Sequence, residues 1–140
     1  MAASPRLEPP SAAILLDTHT VLWLVSEPDR VSAAAREAIA DASREVVVSA
    51  ASAWEIAIKT RLGRLDGESL LSAWPEIMTA MAVKELAIDA TDAIMAGRLR
   101  WNHRDPFDRM IVAQAARRGL TIATRDAGIL NAALTPTLKV

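Results

Sequence analysis

The chain has 140 residues, 51% hydrophobic and 24% charged, with a formal net charge of −1. That length suits one domain able to bury most of its apolar surface, and the near-neutral balance offers no whole-molecule field for attracting nucleic acid. There is no cysteine, which excludes disulfides, zinc–thiolate sites and thiol nucleophiles and is compatible with a cytoplasmic setting; no apolar stretch approaches the roughly 20 residues of a membrane span.

Residues 1–11 carry Pro5, Pro9, Pro10 and Glu8 without an apolar run. They do not form a signal peptide and are expected to be a disordered leader before a single domain over residues 12–140. Ala12–Asp17 predicts a buried strand, and His19–Glu27 a short helix carrying Val21, Leu22, Trp23 and Val25. Val31–Ala42 is an alanine-rich helix with Asp29 or Ser32 as cap. Val46–Ser49 is a second strand. Ala51–Leu62 is a helix with Trp54, Ile58 and Leu62 on an apolar stripe expected to face the core, stopped at Gly63.

Glu68–Thr79 is helical with a break near Trp74-Pro75. Val83–Ile88 gives a third strand, and Asp89 or Thr91 caps a helix running to Leu99. Pro106–Arg118 is a helix with Pro at its first position and Gly119 after its end. Leu120–Thr124 is a fourth strand, Ala127–Ala133 a last helix and Thr135–Val140 a fifth strand. Such alternation predicts an α/β fold, a parallel sheet of four to five strands with helices on both faces.

Four acids fall where that fold would gather them. Asp17 ends the first strand, Glu55 lies one helical turn past the second, Asp108 sits in the first turn of the helix opened by Asp105-Pro106, and Asp126 follows the fourth strand. Open α/β sheets bind ligands outside the carboxyl ends of their strands. Two unit charges about 4 Å apart repel by about 4 kcal/mol at an effective dielectric near 20, so a shared acidic cleft calls for a cation. Hard oxygen donors without cysteine point to Mg²⁺ or Mn²⁺, with Asp17 and Asp108 as ligands and other acids free to orient a water. That is the equipment of phosphoryl transfer.

Each acid also has a plain structural role. Asp17 and Asp126 can cap helices, Ser52-Ala53-Trp54-Glu55 matches a capping box, Glu55 lies four residues before Lys59, and Asp105 before Pro106 is a cap that makes Asp108 a favourable first-turn acid. The joint pattern carries the functional reading. Beside it, His103, Arg104 and Arg109 are candidates for phosphate contact and Trp101 for stacking on a base, set against an ordinary solvated loop. No glycine-rich loop matches a nucleotide fingerprint.

At this point the residues resemble a known family. Leu15-Leu16-Asp17-Thr18-His19-Thr20-Val21-Leu22-Trp23 is similar to the opening of PIN-domain ribonucleases of the VapC toxin type. Ser49-Ala50-Ala51-Ser52-Ala53-Trp54-Glu55-Ile56-Ala57-Ile58-Lys59 with Leu62-Gly63-Arg64-Leu65 resembles the second block of that family. His103-Arg104-Asp105-Pro106-Phe107-Asp108-Arg109-Met110-Ile111-Val112-Ala113-Gln114-Ala115 resembles the third, and Thr124-Arg125-Asp126 the fourth. The resemblance covers residues 12 to 130. It implies a three-layer α/β/α PIN-like fold and a Mg²⁺- or Mn²⁺-dependent endoribonuclease leaving a 5′-phosphate. It further implies a homodimer, RNA as substrate and silencing by a VapB-type antitoxin. Carried over residue by residue, Asp17, Glu55, Asp108 and Asp126 match the acidic quartet, with Asp105 an additional acid; the proline-rich leader departs from the pattern.

Other classes fit less well. A receiver-type metal-binding regulatory domain would carry adjacent acids at the first strand, where Asp17 stands alone, and an aspartyl phosphatase would carry Asp-x-Asp. A catalytically inactive PIN module remains the alternative within the family. An antitoxin helix is expected to lie in a groove beside the cleft lined by Ile39 and Ile56 and to deliver a basic side chain to the acids.

Overall fold

The computed structural model describes residues 12–140; the segment expected to be a disordered leader lies outside them. Strand β1 (Ile14–Leu16) leads through Asp17 into helix α1 (Thr18–Ser26), then a short 3₁₀ turn (Pro28–Arg30) and α2 (Ala33–Ala40). Strand β2 (Val46–Ser49) runs directly into α3 (Ala50–Arg61), followed by α4 (Glu68–Ser72) and α5 (Trp74–Ala80), split at the predicted break. Then come β3 (Val83–Leu86), α6 (Ala90–Arg98), α7 (Pro106–Arg118), β4 (Thr121–Thr124), α8 (Ala127–Ala132) and β5 (Thr137–Lys139).

All five strands are parallel, in the order β3-β2-β1-β4-β5. The three central strands are buried throughout, β1 and β2 as near-continuous apolar runs, because both faces of a parallel sheet are covered by helices. Period-two alternation splits their side chains between two cores. Ile14, Leu16, Val46 and Val48 pack with Val21, Ile56, Trp74 and Met78 on one face; Leu15, Val47 and Ile122 pack with Ile111, Val112 and Ala115 on the other. Each fully buried side chain of this size contributes roughly 1.5–3 kcal/mol. The result is the expected three-layer α/β/α arrangement. Among the described residues no helix is long and apolar enough to cross a membrane.

Helices α6 and α7 are joined by a second device. Asp89 caps α6 in a capping box with Asp92. Asp92, with none of its surface exposed, accepts from Arg117 at 2.8 Å, from Arg118 at 2.7 and 3.0 Å and from Gln114 at 3.1 Å. Burial alone would raise the pKa of Asp92, but these hydrogen bonds together hold its carboxyl well below the usual carboxylate range. Gly119 ends α7 at φ +66°, a left-handed turn that a side chain would strain.

Candidate active site

The register sets the stage. Leu16 lies level with Val48 of β2 and Ala123 of β4, so the residues that follow them, Asp17, Ser49 and Thr124, share one edge of the sheet. Strand β1 has β2 on one side and β4 on the other, so the chain reverses its winding direction between β1 and β4. Such a switch point is where parallel sheets open a crevice. A cleft of about 230 Å³ lies there, lined by Asp17, His19, Trp23, Arg125 and Asp126.

Asp17 is held from two sides. Its Oδ1 accepts from the Thr20 amide at 2.9 Å, capping α1, and its Oδ2 accepts from the Thr124 hydroxyl. It is only 5% exposed, and burial raises its pKa against the lowering effect of those hydrogen bonds. Thr124 also accepts from the Asp126 amide at 3.0 Å, so one hydroxyl ties the end of β1 to the turn after β4. Asp126 caps α8, its Oδ2 accepting from the Ile129 amide at 2.9 Å.

The opening of α7 brings the next acid. Asp105 Oδ1 accepts from the amides of Phe107 and Asp108 at 2.8 and 3.1 Å, which starts the helix that carries Asp108. Asp108 Oδ2 lies 2.6 Å from His103 Nε2. Its pKa is pushed up to about 6, first by burial and then by the charges of Asp105 and Asp126, which outweigh the His103 contact. His103, Asp108 and Asp126 offer ligand atoms within 4.8 Å of one another. The His103 ring stacks on Trp101 (centroids 4.4 Å apart, planes at 10°), and Gly128 leaves room for it: a Cβ there would stand 2.8 Å from His103 Nδ1.

Glu55 is buried on α3, with Lys59 Nζ donating to its Oε2 at 2.5 Å and its Oε1 without a hydrogen-bond partner. An orphaned, buried carboxylate oxygen is costly unless a cation or a water serves it. Carboxylate oxygens suit Mg²⁺ or Mn²⁺, and an imidazole among them favours the transition-metal ion. The raised Asp108 carboxyl and the free Glu55 oxygen both fit a cation-binding role.

Residues 14–134 match the PIN domain family. The chain belongs to it. Its curated relatives include Ribonuclease VapC22 of Mycobacterium tuberculosis, 33% identical over 114 residues, which cover 81% of this chain and 86% of that protein. A methionyl-tRNA formyltransferase of Variovorax paradoxus is 31% identical over 136 residues, but only 42% of its length is matched. In fold, the chain is similar to VapBC2 from Rickettsia felis, solved bound to a DNA fragment from its promoter: TM-score 0.67, 12% identity, covering 90% of this chain and 97% of that one.

Several expectations are corrected within this PIN domain. The capping box at Ser52 does not form: Ser49 caps α3, and Ser52 lies inside it, buried and bonded to Thr18 Oγ1 at 2.9 Å. The stripe expected to face the core points outward at Trp54 and Leu62, which are 60% and 51% exposed, while Ile56 is fully buried. Ile39 packs on the core beside Val46, Met81 and Lys84, at the strand edge opposite the acids. Ile39 and Ile56 therefore do not line a shared groove. Of the four residues expected at RNA, Trp101 is occupied by His103, His103 by Asp108, and Arg109 by backbone carbonyls; Arg104 is exposed. The role of Thr124 was not anticipated, although its place two residues before Asp126, at the end of a strand, was a usable signal.

Proposed function

We propose that this PIN domain is a divalent-cation-dependent endoribonuclease, the toxin of a toxin–antitoxin pair, acting in the cytoplasm as a homodimer. The observation that supports it best is the group of His103, Asp108 and Asp126 beside Asp17 at the sheet's switch point, in a cleft whose lining guanidinium, Arg125, is bonded to the carbonyls of Val140 and Arg30 and lies over Trp23. The relative named as a ribonuclease supports RNA as substrate, and the similarity to VapBC2 supports a VapB-type antitoxin as partner. Asp17, Asp108 and Asp126 would hold Mg²⁺ or Mn²⁺, which supplies charge neutralisation at the scissile phosphate.

The chain's own residues do the rest. Thr124 and the Thr20 amide fix the Asp17 carboxylate so that one geometry is held before substrate arrives. Glu55, with its free Oε1, orients the attacking water and accepts its proton. Hydrolysis then breaks the bond to the 3′-oxygen and leaves a 5′-phosphate. Arg104, exposed in the segment before α7, is the basic side chain we assign to the RNA backbone.

The test is cleavage of single-stranded RNA by purified protein. Products with 5′-phosphate ends, formed with Mg²⁺ or Mn²⁺ and lost with EDTA, are expected. Intact RNA under both conditions, from protein shown by its melting curve to be folded, overturns the reading. Co-expression with the product of the neighbouring upstream gene should yield a complex with suppressed cleavage.

A further inference from the structure

The segment 99–105 between α6 and α7 carries both rings of the Trp101–His103 stack, yet it has no regular secondary structure. Leu99 and Trp101 pack on the second core, and the backbone between them and on to His103 is bonded by one side chain from the next helix. Arg109 Nε donates to Ala96 O at 2.9 Å, Nη1 to Trp101 O at 2.7 Å and His103 O at 3.0 Å, and Nη2 to Leu99 O at 2.8 Å and Gly97 O at 3.4 Å. A guanidinium has five N–H groups in a fixed plane, and all five are spent here. None is left for a phosphate. Two of the acceptors, Ala96 and Gly97, are among the last carbonyls of α6, which a helix end leaves unpaired; two others belong to the stacked residues themselves.

We propose that Arg109 is a positioning residue of the active site: its planar fork fixes the backbone of residues 96–103 and so holds His103 against Asp108. This rests on the ribonuclease reading for its consequence in catalysis, but not for the geometry. The sequence of events is local. Asp105 starts α7, the first turn presents Asp108 to Asp126 and Arg109 to the loop, and the clamped loop returns His103 Nε2 to within 2.6 Å of Asp108. Trp101 on the ring face and Gly128 beside Nδ1 leave the imidazole little freedom. Lysine keeps the charge but is a point donor with no fork, so it cannot span five carbonyls.

Arg109→Lys, His103→Ala and the double variant test this in the full chain, by NMR in metal-free buffer and by RNA cleavage with Mg²⁺. His19 and His103 are the two histidines, so the His103 ring protons can be assigned by NMR, and stacking on Trp101 shifts them upfield. In Arg109→Lys that ring-current shift should be lost while the melting transition stays cooperative. On RNA, kcat should fall about ten- to a hundredfold, the scale of a misplacement of about 1 Å, with KM unchanged. The double variant should cleave no more slowly than His103→Ala, because both changes act through one contact. An unmoved His103 signal overturns the proposal whether or not RNA is the substrate. So does a raised KM with reduced salt dependence, which marks a phosphate contact, or strict additivity in the cycle. Failure of the wild type to cut RNA, with the His103 signal behaving as described, would instead remove the ribonuclease reading and leave the clamp standing.

Discussion

Two acidic clusters in this molecule have opposite fates. Asp92, wholly buried between α6 and α7, is met by two guanidiniums and a glutamine amide and is held ionised. Asp108, more open to solvent, has among the described residues only His103 as a side-chain partner and two further acids nearby, and its carboxyl is pushed up to about 6. Burial alone therefore does not set the state of an acid. The charges that face it do. The first cluster is complete and locks two helices; the second is incomplete by design of its surroundings, and a divalent ion would complete it.

The largest effect should come from breaking the incomplete cluster where chemistry needs it. Asp108→Asn keeps shape and removes charge, and RNA cleavage with excess Mg²⁺ should fall by at least about a thousandfold, several kcal/mol of transition-state stabilisation. Asp17→Asn should lose cleavage to a similar extent. Wild-type-like rates in either variant would contradict the site. In the complete cluster, Asp92→Asn should cost Arg118 its near partner while Arg117 keeps Asp89, and lower stability by about 3 kcal/mol, a fall in melting temperature of about 10 °C. A melting temperature unchanged in Asp92→Asn would remove the structural half of the contrast.

The two clusters should also titrate with opposite sign. Asp108 has a folded pKa raised from 3.8 to about 6, so between those values the folded chain binds the extra proton. Stability in metal-free buffer should then rise as pH falls from about 6 to about 4, by at most about 3 kcal/mol; the raised pKa of Asp17 acts in the same direction. Asp92 is depressed, so its contribution is present above the unfolded value and lost as pH falls below about 4 through the folded one. Urea midpoints measured against pH should show the rise reduced in Asp108→Asn and the acid loss reduced in Asp92→Asn. The smallest effect belongs to Glu55→Gln, whose cleavage should fall less than that of Asp108→Asn, because a residue that orients water is easier to bypass than one that holds charge.

Much of this was legible in the chain itself. The runs Ile14–Leu16, Val46–Val48 and Thr121–Thr124 betray strands buried on both faces, and Asp105-Pro106 with Gly119 brackets α7. The orientation of α3 was not legible. Trp54 and Leu62 lie on an apolar stripe, but the helix turns Ala51, Ser52, Glu55 and Ile56 inward instead. Small residues allow close packing on α1, where Ser52 meets Thr18, and Glu55 is carried inside with them. Trp54 stays outside, edge-on to Phe107 with ring centroids 5.2 Å apart. Periodicity finds a helix's apolar stripe, yet a functional acid can override which face is buried. The His103–Asp108 contact was hidden for another reason: it depends on a loop whose shape is imposed by Arg109 from the following helix.

The central claim, that the carboxylates at the strand edge await a cation, is tested most directly by melting wild type and Asp108→Asn in EDTA and in Mn²⁺. Ligand binding only to the folded chain adds about 2.7 kcal/mol at a hundredfold excess over Kd. The account predicts a clear rise in the wild-type melting temperature with Mn²⁺. It predicts that Asp108→Asn in EDTA melts at or above wild type, with little further response to the metal. No response of wild type to Mn²⁺, together with an Asp108→Asn protein that melts well below it in EDTA, would contradict the account and leave Asp108 as a structural acid of α7.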